Sequence, residues 1–435
     1  MSKRIRAWQI AEPWLLPLSD RTTTLNDQTT AEKKTMIDFT LSPEIEDVRQ
    51  RTRDFVAEHI LPLEDDPANY DEHENLRRDV LEATRTKVKE AGLWCPQLPK
   101  EIGGMGMPMT GQAVMYEEAN YSIFGPACFN CAAPDDGNMR VLNQIGTEAQ
   151  KEKWLRPMVE RELRGAISMT EPHPGGGSDP TMMLTTAKPK GNDKWVINGH
   201  KWFITGAGWA DFFITIARTS DEPRRELSAF IVPRDAPGFE IVRKVAIMGP
   251  EEHGGHCEIK YTDVEVPDEN RLLEVGQGMR VAQTRLVPAR LTHCMRWLGL
   301  AKRSMDVAQE YITRREAFGS TLAEHESVQM MMGDVAKDIQ IGRLLTMHAA
   351  WSLDQGERSM KEVSMAKVFV ANMLHRAVDT AIQLNGARGY SKDTVLEWIY
   401  RYARQARILD GADEVHKMIF ARAYTKQGRD FWRWG

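Results

Sequence analysis

The sequence predicts an α+β multidomain fold, with an all-α N-terminal domain, a small β-barrel or β-sandwich in the middle, and a C-terminal four-helix-bundle domain. The chain has 435 residues, which is too long for a single hydrophobic core. Its apolar residues follow a helical period, change near Ser168 to short strand-like runs, and return to a helical period after Gly278. We therefore predict an N-terminal extension over residues 1–35 and domains over residues 36–166, 167–276 and 277–435.

The N-terminal extension differs in composition from the rest of the chain. It carries a polar run over residues 22–30 and lacks the continuous apolar segment of a signal peptide. Its acidic residues, such as Glu12 and Asp20, are atypical of a transit peptide. The extension is therefore either an arm of the protein, ordered or disordered, or it lies upstream of a natural start at Met36.

Helical signals begin at Ser42. This residue is a candidate N-cap, it is followed by proline at the first helical position, and an apolar stripe continues until Pro62, where we expect the helix to stop. A second amphipathic helix is predicted over residues 76–91 and is ended by Gly92. Further helical pattern covers residues 116–120 and 140–145.

The middle of the chain contains short β-branched or aromatic runs that are separated by Gly, Pro, Asn and Asp. Strands at this spacing are typical of a small barrel or sandwich. We expect a hairpin turn at Asn198-Gly199, because Asn-Gly favours such turns. The predicted strands are residues 187–190, 195–198, 201–205, 212–217, 229–232, 240–242, 257–261 and 264–266. Beyond Gly278, long apolar stripes predict helices over residues 280–314, 328–354, 363–384 and 395–406.

Composition and charge exclude several functional classes. The chain is 42% hydrophobic, and 57 Lys and Arg against 62 Asp and Glu give a net charge of −5, which argues against a nucleic-acid-binding protein. No run approaches the ~18 apolar residues of a membrane-spanning helix. Five cysteines, including the Cys128-x-x-Cys131 pair, do not form a disulfide framework or a zinc-ligand pattern, so we expect buried thiols and no metal. We expect a reducing compartment: the cytoplasm, or the mitochondrial matrix in a eukaryote.

Four short motifs contain groups that suit a nucleotide-like cofactor. Glycines 175–177 allow backbone N–H groups to approach an oxygen-rich ligand, Thr170 and Ser178 supply hydroxyls, and Arg315 supplies a permanent forked charge for a pyrophosphate. Taken singly, each has a plainer explanation as a tight loop, a strand hydroxyl or a solvated arginine. The motifs are Met-Thr-Glu-Pro at 169–172 with Gly-Gly-Gly-Ser-Asp at 175–179, Lys-Trp-Phe-Ile-Thr-Gly at 201–206, Arg-Glu-Ala-Phe-Gly at 315–319, and Gln-Leu-Asn-Gly-Ala-Arg-Gly-Tyr at 383–390.

In this order and spacing, the four motifs resemble the acyl-CoA dehydrogenase family of flavoproteins, from about Met36 to the C-terminus. The resemblance implies that FAD is the cofactor. Phe203 stands where this family usually has a flavin-stacking Trp, and we expect Trp202 on the opposite face of the strand. The cofactor-binding residues that the resemblance implies are Met169, Thr170, Ser178, Phe203, Ile204, Thr205, Arg315, Phe318, Gln383, Gly386, Ala412 and Glu414.

The resemblance also implies a carboxylate base near the C-terminus. The base is usually Glu, and an ungapped count from Gln383 leads to Asp410. Asp at this position resembles a subgroup that also has the Ala-Pro-Asp-x-Gly-Asn motif at residues 133–138. A second base position known in the family is Ala289 here, so Asp410 has no substitute. We expect desolvation in a flavin cavity to raise the pKa of Asp410. The plainer alternative is a turn aspartate, because Asp-Gly is a common turn pair.

The resemblance assigns substrate contacts to Arg290, beside the channel for CoA, and to Ser178. His293 and Arg296 are spaced to line the same helix face. An equally good interpretation of these two residues is a polar helix surface or an intersubunit salt bridge.

The activity that the resemblance implies is FAD-dependent α,β-dehydrogenation of an acyl-CoA thioester. Asp410 would remove the α-proton, flavin N5 would take the β-hydride, and an electron-transfer flavoprotein would receive the electrons. In the family, the residue matching Arg315 reaches the FAD of a neighbouring subunit, so we expect a homodimer or homotetramer. One alternative is a flavin oxidase or monooxygenase similar to nitroalkane oxidase, and another is a noncatalytic flavoprotein or assembly partner. Arg290 favours a CoA substrate, and Asp410 argues against a noncatalytic protein.

Overall fold

Helices precede and follow a central sheet, which confirms the predicted fold class. The structure, a computed structural model, describes residues 40–222 and 225–432, so the predicted extension and the start at Met36 lie outside the described residues. The limits of the three domains stay a prediction. The helices before the sheet are α1 Pro43–Phe55, α2 Leu61–Glu64, α3 Arg78–Glu90, α4 Met109–Ala119, α5 Gly125–Cys128, α6 Asp135–Ile145, α7 Glu148–Gln150 and α8 Arg156–Glu160.

The first helix begins as predicted but does not stop at Pro62. The Ser42 side chain caps α1 by accepting the Ile45 N–H at 3.3 Å. A π-helical turn at Val56–Ile60 then shifts the hydrogen-bond register, so that Pro62 falls in the first turn of α2, where its missing N–H has no cost. The predicted stop is therefore wrong, and the chain stays helical to Glu64.

The central strands form one mixed sheet of eight strands. They are β1 Gly165–Ser168, β2 Thr186–Lys190, β3 Lys194–Thr205, β4 Phe212–Arg218, β5 Leu227–Pro233, β6 Phe239–Lys244, β7 His256–Pro267 and β8 Arg271–Leu272. The order is β6-β7-β3-β2-β4-β5-β8, and β1 pairs with β4. Strands β1 and β2 run parallel to β4, and the other pairs are antiparallel.

The hairpin turn predicted at Asn198-Gly199 is wrong, because β3 runs through it without interruption. The chain turns just before β3 instead, where Gly191 adopts φ +67°. Gly199 is needed for a different reason. A Cβ at this position would lie 2.2 Å from Thr185 Oγ1, so only glycine allows this close approach. The two runs predicted over residues 257–261 and 264–266 also join into the single strand β7.

The two faces of the sheet belong to different hydrophobic clusters. Along β4, Phe212, Ile214 and Ile216 face the cluster that also contains the helices. The alternate residues Phe213 and Ala217 pack with Phe230 of β5 in a second cluster. Successive side chains of a strand point to opposite faces of the sheet, so this alternation between two clusters shows that both faces of β4 are buried. The helical regions and one face of the sheet therefore share a continuous core.

The four long helices predicted after the sheet are confirmed, and a further helix follows them. They are α9 Gly278–Ile312, α10 Glu326–Asp354, α11 Met360–Asn385, α12 Leu396–Gln405 and α13 Asp413–Gln427. Between α9 and α10, the short strands β9 Glu316–Ala317 and β10 Ser320–Thr321 form a hairpin. None of the helices in the described parts of the chain is long and apolar enough to cross a membrane.

All five cysteines are buried free thiols, as predicted. Burial raises the pKa of Cys95 and of Cys128 to about 12, so both are protonated at neutral pH. Over residues 40–222 and 225–432, no group of three or more His, Cys, Asp or Glu side chains could hold a metal ion.

Candidate active site

The loop after β1 is shaped by a buried ion pair. The Glu171 carboxylate accepts the backbone N–H groups of Gly176, Leu184 and Thr185, and the Lys201 ammonium lies 3.0 Å from it. Lys201 also donates to the Met169 carbonyl at 2.8 Å. Burial lowers the pKa of Lys201 to about 8, although the charge of Glu171 opposes this shift. The pair therefore fixes the loop that carries the predicted cofactor residues Met169, Thr170 and Ser178.

The adjacent strand β3 contributes an exposed aromatic ring. Trp202 N–H donates to the Thr170 carbonyl at 3.0 Å, which ties the loop to this strand. A bulge between Lys201 and Ile204 places Phe203 at φ 52°, and the residue is 42% exposed. The rings of Trp202 and Phe203 meet edge to face at 4.8 Å, so the prediction that they lie on opposite faces is wrong. The bulge breaks the alternation on which that prediction depended.

Thr205 connects the sheet to the helices after it. Its hydroxyl lies 3.0 Å from Nδ1 of His256, and Nε2 of His256 lies 2.9 Å from Glu252. Gln405 of α12 donates to the same carboxylate at 3.1 Å. Burial alone would lower the pKa of His256, but Glu252 outweighs burial and raises it. Ile204, between Phe203 and Thr205, is buried in the sheet.

The predicted residues at the ends of the C-terminal helices are exposed. Arg315 leads into the β9–β10 hairpin, and Phe318 at its tip is 98% exposed with φ 55°. Gln383 and Gly386 are also exposed at the end of α11, where Gly386 adopts φ +61°. Exposed arginine and aromatic side chains at a hairpin tip are suited to reach a ligand or a second subunit.

Asp410 lies in the tight loop between α12 and α13. Its Oδ2 is 3.3 Å from Nε2 of His293, and its Oδ1 is 3.9 Å from Nη1 of Arg285. Burial alone would raise the pKa of Asp410, but the hydrogen bond from His293 and the charges of Arg285 and Arg290 outweigh it and hold the pKa well below its ordinary value. The predicted upward shift is therefore wrong, because sequence alone did not reveal the cations around this carboxylate.

The backbone of the Asp410 loop is held from several sides. Asp410 adopts φ 50°, and its carbonyl accepts from Nε of Arg290 at 2.7 Å. The next carbonyl, of Gly411, accepts from the buried Lys367 at 2.9 Å. A Cβ at Gly411 would lie 2.9 Å from Nε2 of His416, which explains the glycine. The loop is therefore more tightly constrained than an ordinary Asp-Gly turn, and its conformation fixes the direction of the Asp410 carboxylate.

The helix after this loop begins with the remaining predicted residues. Ala412 is the N-cap residue of α13, and Glu414 is exposed in its first turn. Asp413, beside them, is 1% exposed in its side chain and lies 3.2 Å from the Lys367 ammonium. Asp413 therefore anchors the loop in addition to starting the helix.

The motif at residues 133–138 supports Arg285. Asn138 Oδ1 accepts from Nε of Arg285 at 3.0 Å, and a Cβ at Gly137 would lie 3.1 Å from the Arg285 side chain. Asp136 accepts from the Arg140 guanidinium at 2.9 Å and from the Thr292 hydroxyl at 3.0 Å. The motif thus places a cation beside Asp410.

The α9 residues do not form a polar surface. Arg290, His293 and Arg296 are 7%, 6% and 3% exposed, so the surface interpretation of the last two is wrong. Arg296 donates to Nδ1 of His293 at 3.2 Å, which leaves the His293 Nε2–H directed at Asp410. Arg290 holds the Asp410 backbone, and its contact with substrate stays a prediction. Ser178, the other predicted substrate contact, is exposed.

Sequence reasoning missed Arg285, Lys201 and Lys367. Arginine and lysine on an amphipathic pattern indicate a solvated face, yet all three are buried and each faces a carboxylate. The resemblance of the 133–138 motif to a subgroup was the one signal that could have led to Arg285.

The predicted cofactor residues fit a flavin dinucleotide. Phe203 presents an exposed ring, Ser178 an exposed hydroxyl, and Arg315 an exposed guanidinium. A Cβ at Gly177 would meet no atom within 4 Å, so the loop rim beside Ser178 is open. An aromatic face, hydroxyl donors and a forked cation are the groups that a flavin and its pyrophosphate need. The individual contacts stay predictions.

The chain is similar to acyl-CoA dehydrogenases over most of its length. It matches the acyl-CoA dehydrogenase N-terminal domain over residues 42–162, the middle domain over residues 166–264 and the C-terminal domain over residues 276–425. It is 38% identical over 401 residues to FadE2 of Mycobacterium tuberculosis, described as a probable acyl-CoA dehydrogenase, with 89% of this chain and 97% of that protein covered.

A further relative and a solved structure are similar to this chain over different shares of their own length. Acyl-CoA dehydrogenase family member 11 of Gallus gallus is 36% identical over 392 residues, which are 87% of this chain and 50% of that protein, so the chain spans about half the length of this relative. The structure of butyryl-CoA dehydrogenase from Megasphaera elsdenii has a TM-score of 0.79 at 28% identity, with 89% of this chain and 100% of that chain covered.

Proposed function

Because this chain belongs to the acyl-CoA dehydrogenase family, we propose that it desaturates an acyl-CoA thioester with Asp410 as the base. The family consists of FAD-binding oxidoreductases that act on acyl-CoA. Removal of the α-proton by Asp410 and transfer of electrons to an electron-transfer flavoprotein are the parts that we propose. The observation that carries the proposal is one carboxylate, aimed from a constrained loop and held by His293, Arg285 and Arg290.

The chemistry of the proposed reaction divides between cofactor and protein. When bound, FAD supplies the acceptor for the β-hydride. Asp410 accepts the α-proton on its carboxylate, which the neighbouring cations keep ionised before substrate arrives. Arg285 and His293 fix the orientation of that carboxylate, and Arg290 and Lys367 fix the backbone behind it. The strong interaction with cations lowers the basicity of the Asp410 carboxylate, so its action as a base depends on its position more than on a high pKa.

Anaerobic titration of the purified flavoprotein with a panel of acyl-CoA esters tests this function. We expect at least one ester to reduce the flavin, and oxygen uptake to remain low because the electrons go to a protein acceptor. Reduction by a nitroalkane together with rapid oxygen uptake, and none by any acyl-CoA, would favour the oxidase alternative. If no substrate of either class reduces the flavin, the noncatalytic alternative would be favoured.

The pH dependence of flavin reduction tests the role of His293. The pKa of Asp410 is lowered, so the carboxylate stays ionised and the rate should hold from neutral pH down to about pH 5, with no acid limb from this residue. His293→Phe removes the Nε2–H donor and keeps an aromatic ring, so it should raise the pKa of Asp410 and move the acid limb to higher pH. His375→Phe, on a partly buried histidine of α11, is the matched control and should keep the wild-type profile. An unchanged profile in His293→Phe would contradict this role.

A homodimer or homotetramer is the expected state, because Arg315 stands exposed immediately before the β9–β10 hairpin. Light scattering of the FAD-loaded protein checks the oligomeric state. Arg315→Gln should release FAD more readily during gel filtration, since a pyrophosphate loses a forked donor. Its exposed neighbour provides the control variant, Arg314→Gln, which should retain FAD. A monomer that holds FAD tightly would refute this prediction.

A further inference from the structure

A partly open cavity of about 100 Å³ is lined by the N-terminal helical region, the loop between β6 and β7, and the helices α9 and α12. His293 forms part of its wall, and Nε2 of this histidine is 3.3 Å from the Asp410 carboxylate. His293 thus contacts both the cavity and the proposed base. An acyl chain that places its α-carbon at Asp410 would have to pass beside the His293 ring to reach the cavity.

The wall of the cavity is rich in arginine. Arg85, Arg161, Arg164 and Arg296 all line it, although buried arginine is rare unless it is paired. Two of them, Arg161 and Arg164, share a single carboxylate, that of Asp135, at 2.9 Å and 3.0 Å. The Asp135 carboxyl is ionised, because the two arginines outweigh the effect of burial and lower its pKa to about 2. Asp135 is therefore the one carboxylate that contacts these two guanidinium groups, and the next acid beside Arg164 is the exposed Asp211, which accepts the Arg164 backbone N–H at 2.7 Å.

The other acidic side chains on the wall already have partners. Glu251 lies 3.3 Å from Lys244 and 3.4 Å from His73. Glu252 lies 2.9 Å from His256. Lys244, His73 and His256 therefore lie beside these carboxylates, although Oε2 of each carboxylate makes no hydrogen bond of good geometry among the described residues. Neither carboxylate pairs with Arg161 or Arg164.

Three further observations agree with excess positive charge. Nε of Arg161 is buried and has no hydrogen-bond partner among the described residues, while its Nη1 contacts Asn130 and Asp135. Burial lowers the pKa of Arg85 to about 10, and repulsion from Arg161 and Arg164 contributes to this shift. Burial also lowers the pKa of His253, on the same wall, to about 4, again with a contribution from the three arginines. A bound anion would relieve this repulsion.

The remaining wall is partly apolar. Ile123, Phe124 and Leu300 line it beside the arginines. A ligand that combines methylene groups with an anionic end would meet both kinds of surface. A fully apolar acyl end would leave Arg161 and Arg164 with only the Asp135 carboxylate that they share, and with Nε of Arg161 unpaired.

We propose that this cavity is an anion subsite that receives a carboxylate carried by the acyl chain of the substrate. The inference rests on the proposed function, because it assumes an acyl-CoA that reacts at Asp410. Its content is specific: Arg161 and Arg164 bind the anionic end, and the enzyme prefers an acyl-CoA with a terminal carboxylate over the neutral ester of equal length.

Matched pairs of CoA esters test the subsite on wild-type protein. Glutaryl-, adipoyl- and suberoyl-CoA are compared with valeryl-, hexanoyl- and octanoyl-CoA, by calorimetric binding to the FAD-loaded protein and by anaerobic flavin reduction. We expect at least one dicarboxylic ester to bind about 10- to 100-fold more tightly than its neutral partner, the range for a buried hydrogen-bonded charge. Equal affinity within every pair overturns the subsite.

Variants then test whether the preference for a terminal carboxylate depends on Arg161 and Arg164. In Arg161→Gln and in Arg164→Gln, Asp135 keeps the other arginine as a partner, so both variants should fold and lose most of the preference. The control is Arg271→Gln in β8, where a partly buried arginine pairs with Asp268 at 2.8 Å outside this cavity, and this variant should keep the preference. A preference that survives in both cavity variants overturns the assignment.

The two proposals fail in different ways. Reduction by neutral esters without any preference for a carboxylate overturns the subsite and leaves the proposed function intact. Discriminating binding without flavin reduction by any ester overturns the proposed function and supports the subsite. Inorganic phosphate serves as the probe for a free anion. If phosphate raises the melting temperature of wild type but not of Arg161→Gln, and no ester pair differs, the cavity holds a free anion and the acyl assignment is wrong.

Discussion

Replacing Asp410 with asparagine is expected to leave FAD bound and to slow flavin reduction by an acyl-CoA about 10²–10⁴-fold, the usual contribution of a positioned general base. Asparagine has nearly the same shape and can still accept a hydrogen bond from His293, so the loop should keep its conformation. It cannot take up the α-proton. Rapid mixing of the anaerobic flavoprotein with substrate, followed by flavin absorbance, gives the rate.

The same variant should also be less stable than wild type at neutral pH. The native pKa of Asp410 is lowered, so its ionised form stabilises the fold above the pKa of an unfolded aspartate and that contribution is lost as the pH falls. Asp410→Asn removes this contribution, while Arg285 keeps its hydrogen bond to Asn138 and the more distant charges of Asp135 and Asp136. The difference in melting temperature between wild type and variant should therefore shrink in acid.

Two further variants separate basicity from position. Asp410→Glu keeps the charge but extends the carboxylate by one methylene, and a misplacement of about 1 Å can cost ~10²-fold. Glutamate should therefore damage activity even though it is the usual family residue. Asp379→Asn, at an exposed position on α11, is the control for loss of a carboxylate and should react like wild type. If Asp410→Asn reduces its flavin at the wild-type rate, Asp410 is not the base.

The elements that sequence predicted well are those whose evidence is local. The C-terminal helices have long apolar stripes, and the structure has them within a few residues of the predicted limits. Errors arose where a local signal is overridden. Pro62 is tolerated because a π-turn immediately before it shifts the hydrogen-bond register, and Gly199 serves a close approach to Thr185 instead of a hairpin. The apolar pattern does not show the π-turn, and the approach of Gly199 to Thr185 forms only in the folded sheet.

The electrostatics of the site could not be predicted for a related reason. The pKa of Asp410 depends on Arg285 and His293, which are far from it in sequence and come together only when α9 packs beside the loop. Burial alone predicts a raised pKa of Asp410, whereas the hydrogen bond from His293 and the charges of Arg285 and Arg290 lower it. Motif spacing could place Asp410 in the family register, but it could not supply the charges that surround the carboxylate.

Lys367→Met is expected to lower the free energy of unfolding by about 3–5 kcal/mol, the usual effect of removing one partner from a buried ion pair. The Lys367 ammonium lies 3.2 Å from Asp413 Oδ1, and the two side chains are 0% and 1% exposed. Methionine fills a similar volume but leaves the Asp413 carboxylate buried, with Asn372 at 2.8 Å and Arg407 at 3.3 Å as its remaining partners. Urea denaturation followed by fluorescence and by flavin release measures the loss.

A double variant shows whether the loss comes from the uncompensated charge. Lys367→Met with Asp413→Leu removes both members of the pair, and should recover most of the stability because apolar replacement of a buried ion pair is often neutral. Arg407, whose side chain is 41% exposed, can then be solvated. Activity should not recover, because the Gly411 carbonyl has lost its 2.9 Å donor and the Asp410 loop its anchor. If the double variant is as unstable as Lys367→Met, the cost arises from packing. If it regains full activity, Lys367 does not position the base.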